Sequence, residues 1–216
     1  MPDEAIEPSQ SEQNHDEPHG RFFLLGISSV AFAGCVLVAF VGQFITGASA
    51  TAALTESDLL EPLTWQAAVL VTLPMFALLY LERGSRFVWL RELWELSGEV
   101  LGPVVVRVTF AELVAVSLFA GIGEELLFRG FLQSWLGTYG LLVALVVPNL
   151  MFAALHWISR GYAACTFCIG LYFSCLLHFA DSVNLATLMI AHSLYDLVAL
   201  MCLAREVRSR ADQVSC

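Results

Sequence analysis

The sequence predicts an all-α fold, a polytopic bundle of about six transmembrane helices with one amphipathic helix lying in the interface. Three observations predict it. The chain is 58% hydrophobic and only 14% charged over 216 residues, with a mean hydropathy of +0.73, which is too apolar for a water-soluble domain and sufficient for several spans of about 20 residues. Apolar runs of that length recur, bounded by Gly, Pro or charged residues. The few ionisable groups inside those runs are also patterned: Glu124, Glu125 and Arg129 in one, His156 in another, His192 and Asp196 in the last.

Residues 1–20 hold six carboxylates among Pro, Ser and Gln with no Lys or Arg, the composition of a disordered, solvated tail. His15 and His19 read as polar tail residues. Much of the net charge of −10 lies in such exposed stretches, so it marks no acidic binding surface, and no nucleic-acid partner is expected. Spans are expected near 22–47, 63–81, 104–128, 140–158, 162–179 and 183–203. The first is preceded by acidic residues and is longer than the apolar core of a signal peptide, although Ala48-Ser49-Ala50 resembles a cleavage site. Between the second and third spans, Glu82 to Glu99 mixes Arg83, Arg86, Arg91, Glu92 and Glu95 with Phe87, Trp89, Leu90, Leu93 and Trp94, a pattern suited to a helix in the membrane interface. The chain thus divides into a tail (1–20), N-terminal spans with the interfacial helix (21–103), a core (104–204) and a C-terminal tail (205–216).

The basic residues are all arginine. With six alternating spans, one side receives Arg21, Arg83, Arg86, Arg91, Arg107, Arg160, Arg205, Arg208 and Arg210, and the other receives none. The positive-inside rule then places both termini in the cytoplasm, in the cell membrane. Five of the six cysteines lie in apolar runs, where a thiol packs as a small hydrophobe. Cys165-Thr-Phe-Cys168 has a CxxC form without the soluble context that would make it a redox or metal motif.

The stretch GIGEELLFRGF, Gly121 to Phe131, organises the rest. A Glu or Arg at bilayer depth costs about 2.5 to 3.5 kcal/mol on insertion scales unless it pairs or faces a wet cavity. Glu125 and Arg129 are four apart on one helix face, with the acid N-terminal to the base, so they form a natural pair. Glu124 is turned by about 100° and is free to project elsewhere. On other spans, Phe152 and His156 share a face, as do His192 and Asp196, and an Asp one turn away can hydrogen-bond an imidazole and fix its tautomer. A lone intramembrane His often serves only to bond one helix to another. Three spans carrying such groups together point to one polar cavity.

In their order on successive helices, Glu124-Glu125-xxx-Arg129, Phe152-xxx-His156 and His192-xxx-Asp196 resemble the motifs of the CPBP family, the CAAX protease and bacteriocin-processing group also called Abi. The resemblance runs from about residue 105 to 203. It implies an intramembrane endopeptidase acting on a CAAX-type prenylated or bacteriocin-like substrate, with Glu124, Glu125, Arg129, His156, His192 and Asp196 at the catalytic positions. Asp196 stands where the endoplasmic-reticulum prenyl-protein endopeptidases have Asn, which leaves the substrate open.

The chemistry of peptide hydrolysis suits the same residues. Glu124 with His156 would take a proton from water, His192 oriented by Asp196 would serve the oxyanion or the leaving amine, and Arg129 would hold Glu125. Alternatively, Glu124, His156 and His192 make a two-histidine, one-carboxylate shell for Zn2+, against which stand the absence of an HExxH helix and the nearby Arg129. The expected partners are membrane lipid and a membrane-associated peptide. A non-catalytic scaffold or immunity protein would use the polar groups only to join helices. A proton path through Glu112, Glu124 and Glu125 would leave the histidine spacing unexplained.

Overall fold

In a computed structural model that describes residues 19–55, 57–84 and 88–214, every regular element is helical. The acidic tail expected over residues 1–20 lies outside them but for its last two residues. Helix α1 is His19–Thr46, α2 Pro62–Gly84 and α3 Val88–Val105; α4, Phe110–Glu125, continues into a π-helical segment, Leu126–Leu132, and a last turn, α5, Gln133–Leu136. Then follow α6 Leu141–Leu155, α7 Arg160–Phe179 and α8 Leu185–Val214.

Local chemistry sets the boundaries. α1 stops at Gly47, whose φ of +75° is the left-handed conformation that glycine adopts without steric cost, while its N–H donates to the Gln43 carbonyl at 2.8 Å. α2 begins with Pro62 at its first position, where a missing N–H costs nothing. Thr109 caps α4, and Glu112 returns to the Thr109 N–H at 2.7 Å, closing a capping box. Glu112 therefore sits in the first turn of α4, where it closes the cap. Ser159 caps α7 by accepting from the Tyr162 N–H at 3.1 Å.

Four helices are long and apolar enough to cross a membrane, Phe23–Thr46, Pro62–Arg83, Arg160–Phe179 and Leu185–Arg210, where six were expected. Two of the expected spans fall short: α4 has 16 residues because the π segment takes over the helix at Leu126, and α6 has 15 and ends where His156 leaves helical geometry at φ −99°. The expected interfacial helix is also corrected. Glu82 belongs to α2, and Arg86 and Phe87 lie outside the described residues. α3 buries Leu90, Leu93 and Trp94, with Trp94 in a core shared with Leu79 of α2 and Leu203 of α8. Those three are thus covered by protein while Val88 and Val100 stay exposed, and no distinct amphipathic surface helix stands out among the described residues.

Small residues let the central helices touch. A Cβ on Gly121 of α4 would lie 2.7 Å from the Ser193 nitrogen and 2.9 Å from the Met189 oxygen of α8, so the two backbones meet where a side chain would part them. The π segment is buried throughout, packed by Ala39 of α1, Phe152 of α6 and Leu185 and Met189 of α8.

Candidate active site

All six residues singled out in the sequence line one cavity of about 420 Å3. Glu124 and Glu125 end α4, Arg129 sits in the π segment, His156 closes α6, and His192 and Asp196 occupy successive turns of α8. A π segment widens the turn and is frequent at functional sites. Here all seven of its residues are buried, so Arg129 is held inside the bundle.

Glu125 is fully buried and is the hub. Its Oε1 accepts from Arg129 Nη1 at 3.2 Å and lies 2.8 Å from His192 Nδ1, so the expected pair with Arg129 forms and a histidine joins it. Arg129 is 2% exposed, and its guanidinium lies 4.9 Å from the Phe152 ring centroid and 5.8 Å from that of Phe173, a cation–π enclosure on the apolar side. A buried charge of this kind is costly unless its donors are met, and here they are met in part: Arg129 Nε and Glu125 Oε2 are buried without a hydrogen-bond partner among the described residues. Arg129 Nη2 donates to Asn149 Oδ1 at 3.0 Å, and Asn149 Nδ2 lies within bonding distance of the Leu145 carbonyl, 2.7 Å, and of Ser174 Oγ, 2.8 Å.

Glu124 points away from this network, as its position on the helix requires. Its two oxygens face two imidazoles, with Oε1 at 3.9 Å from His156 Nε2 and Oε2 at 3.8 Å from His192 Nε2. Asp196 Oδ2 lies 3.6 Å from the same His192 nitrogen, at ion-pair distance, while the short contact to that ring belongs to Glu125. The tautomers follow from the partners. His156 Nδ1 is 2.9 Å from the Phe152 carbonyl, which can only accept, so Nδ1 carries the proton and Nε2 offers its lone pair toward Glu124. His192 Nδ1 likewise donates to Glu125.

Sequence reasoning missed the second tier. Asn149 and Ser174 are fully buried, and Gln133, whose Nε2 donates to the Ser174 carbonyl at 3.1 Å, is 8% exposed. Asn149, Phe152 and His156 fall at i, i+3 and i+7, and Glu125, Arg129 and Gln133 at i, i+4 and i+8, so both sets line single helix faces. The signal was the same as for the charges, a polar group within an apolar run, in its weaker neutral form. Glu82, Tyr162 and Tyr195 also line the cavity.

Residues 106–198 match the family described as Type II CAAX prenyl endopeptidase Rce1-like. The matched stretch spans the helices that carry Glu124, His156 and His192, so this part of the chain is similar to the CAAX-protease family, and the chain around it is a polytopic membrane protein. No curated protein and no solved structure matches the chain.

The donor set suits a divalent metal in kind, since both histidines have Nδ1 occupied by an acceptor and Nε2 turned toward the Glu124 carboxylate. As arranged, no group of three His, Cys, Asp or Glu among the described residues is spaced to hold one.

Proposed function

We propose that the protein is an intramembrane endopeptidase that hydrolyses a peptide bond in a membrane-associated substrate, CAAX-type prenylated or bacteriocin-like. The observation that carries this reading is the meeting of Glu124, His156 Nε2 and His192 Nε2, from three different helices, around one cavity. The gaps of 3.8 and 3.9 Å between Glu124 and the two imidazoles are too long for direct hydrogen bonds and suit a bridging water.

Glu124 and His156 hold that water, and Glu124 takes its proton as the oxygen attacks the scissile carbonyl carbon. A C–O bond forms and the carbonyl π electrons move to oxygen. His192, as imidazolium, donates Nδ1–H to Glu125 and Nε2–H to the oxyanion, a donor fixed before the charge develops. Collapse breaks the C–N bond, and Glu124 returns the proton to the leaving amine. Arg129 and Asn149 keep Glu125 in place, and Asp196 balances charge on His192. A divalent cation held by Glu124, His156 and His192 is the second reading of the same donors; when bound, it would supply Lewis acidity at the scissile carbonyl.

The test compares purified wild-type protein with Glu124→Ala, His156→Ala and His192→Ala on prenylated CAAX peptides and on unmodified membrane peptides. Cleavage by wild type and a loss of at least 100-fold in each variant, all remaining inserted and folded, is the expected result. A wild-type protein that cleaves neither class, or a Glu124→Ala protein that keeps its rate, would replace the protease by the non-catalytic scaffold.

A further inference from the structure

A second cavity, of about 830 Å3, opens where the start of α4 meets the end of α8, and the proposed chemistry makes no use of it. Its floor is apolar: Val108, Leu113 and Ala204 line it and are buried. Its walls include Phe110 and Met201, which are 63% and 42% exposed. Arg205 and Arg208 stand at the same cavity, near the point where the apolar stretch of α8 ends, Arg210. The cavity therefore pairs an oily lining with two guanidinium groups at the depth where a span leaves hydrocarbon.

The arginines are placed to act outward. Arg208 is braced by donating from Nε to the Val106 carbonyl at 3.1 Å and from Nη2 to the Val108 carbonyl at 2.9 Å; because both partners are neutral, its charge is not cancelled. Arg205 makes no hydrogen bond or ion pair among the described residues. Among the described side chains, the neighbouring acids Glu206 and Glu112 have other partners. Glu206 meets Arg210 at 2.6 Å and Trp94 at 2.9 Å, while Glu112 closes the cap at Thr109.

We infer that this cavity binds one anionic phospholipid, its phosphate on Arg205 and Arg208 and the upper part of an acyl chain against Phe110, Leu113 and Met201. Charge complementarity selects an anion, and the apolar lining at the membrane boundary selects one that carries a hydrocarbon tail. A free phosphate would satisfy the arginines and leave the lining exposed. A zwitterionic lipid would fill the lining but bring a choline cation toward the arginines.

Native mass spectrometry of the full chain in mild detergent, titrated separately with dioleoyl phosphatidylglycerol, dioleoyl phosphatidylcholine and glycerol 3-phosphate, tests this. The expected result is retention of one phosphatidylglycerol with about 30-fold preference over phosphatidylcholine, the scale two interfacial arginines provide, and no retained glycerol 3-phosphate. Arg205→Gln, whose side chain supports no other contact, should cut the preference to about fivefold, the share that Arg208 alone provides. Phe110→Ser should weaken both several-fold while keeping the preference. Equal retention of the two lipids by wild type, an unchanged preference in Arg205→Gln, or retention of glycerol 3-phosphate as strong as that of the lipid would each overturn the assignment. Melting temperatures of both variants within a few degrees of wild type would show that the comparison is made on folded protein; if Arg205→Gln melts far lower, Arg205→Lys, which keeps the charge, must restore both stability and preference, and failure to restore preference sinks the site.

Discussion

Asn149 shows how one neutral side chain governs a charged site. It accepts from Arg129 Nη2 at 3.0 Å and lies 2.8 Å from Ser174 Oγ, while the α7 backbone beside it carries Gly170, where a Cβ would stand 2.4 Å from Asn149 Oδ1. Asn149→Leu keeps the branched shape, with bulkier tips, and removes the partner. It leaves a buried guanidinium donor unmet, a loss of about 1 to 3 kcal/mol, and frees Arg129 to draw Glu125 away from His192. The expected outcome is a lower melting temperature in detergent together with a fall in kcat at nearly constant KM, because the lost interaction serves the transition state. A change confined to KM would place Asn149 in substrate binding instead. Chelation separates the two readings of the site at the same scale. If Glu124 acts directly on water, exhaustive dialysis against a chelator leaves the rate within about twofold; a rate that disappears and returns with added Zn2+ assigns Glu124, His156 and His192 to the metal.

At the scale of elements, the close approach of α4 and α8 sets the distance between the two acids and the histidine they serve. Gly121 lies one turn before Glu124 and Glu125, and a Cβ there would be 2.2 Å from Ser193 Oγ and 2.7 Å from the Ser193 nitrogen. Because backbone cannot yield as a side-chain tip does, Gly121→Val has to move the helices apart. Overpacking of this kind costs about 1 to 3 kcal/mol, and a displacement near 1 Å at a catalytic constellation costs about 100-fold in rate. Gly34→Ala in α1, where a Cβ meets nothing within 4 Å, serves as the control and should change neither stability nor rate appreciably. Equal activity of the two variants would show that the α4–α8 contact does not position the site.

The same elements explain what the sequence revealed and what it concealed. Charge in an apolar run is expensive, so Glu124, Glu125, Arg129, His156, His192 and Asp196 stood out, and i, i+4 geometry was enough to pair Glu125 with Arg129 and to turn Glu124 aside. Asn149, Ser174 and Gln133 cost less to bury and were masked by their apolar neighbours. The π segment has no side-chain signature at all, since its cause is the packing of seven buried residues. The number of long spans was overestimated because hydropathy measures the length of an apolar run and is blind to a change of helix type within it, as at Leu126, or to an early stop, as at Leu155. Thr109 and Glu112 did carry a legible capping signal, hidden by the apolar run that begins at residue 104.

Across the whole molecule, the charges divide between two ends. Nine of the ten arginines fall outside the site, and Arg83 and Arg210 both reach Glu206 at 3.8 and 2.6 Å, while Arg208 binds the turn that precedes α4. The end of α2, the start of α4 and the end of α8 therefore share one level of the bundle, and that level is basic. Positive charge resists translocation, so the positive-inside rule predicts that this level faces the cytoplasm. The four long helices are an even number, so the chain ends on the side where it begins if α4 and α6 both cross or both do not. Fusions of a periplasm-active phosphatase and of a cytoplasm-active fluorescent protein to each terminus check both statements together. Fluorescence from both ends with no phosphatase activity is the expected outcome. Activity at both ends would invert the bundle and remove the arginine argument, and a split result would mean that just one of α4 and α6 crosses, which would place the open side of the catalytic cavity at a different depth from the basic end.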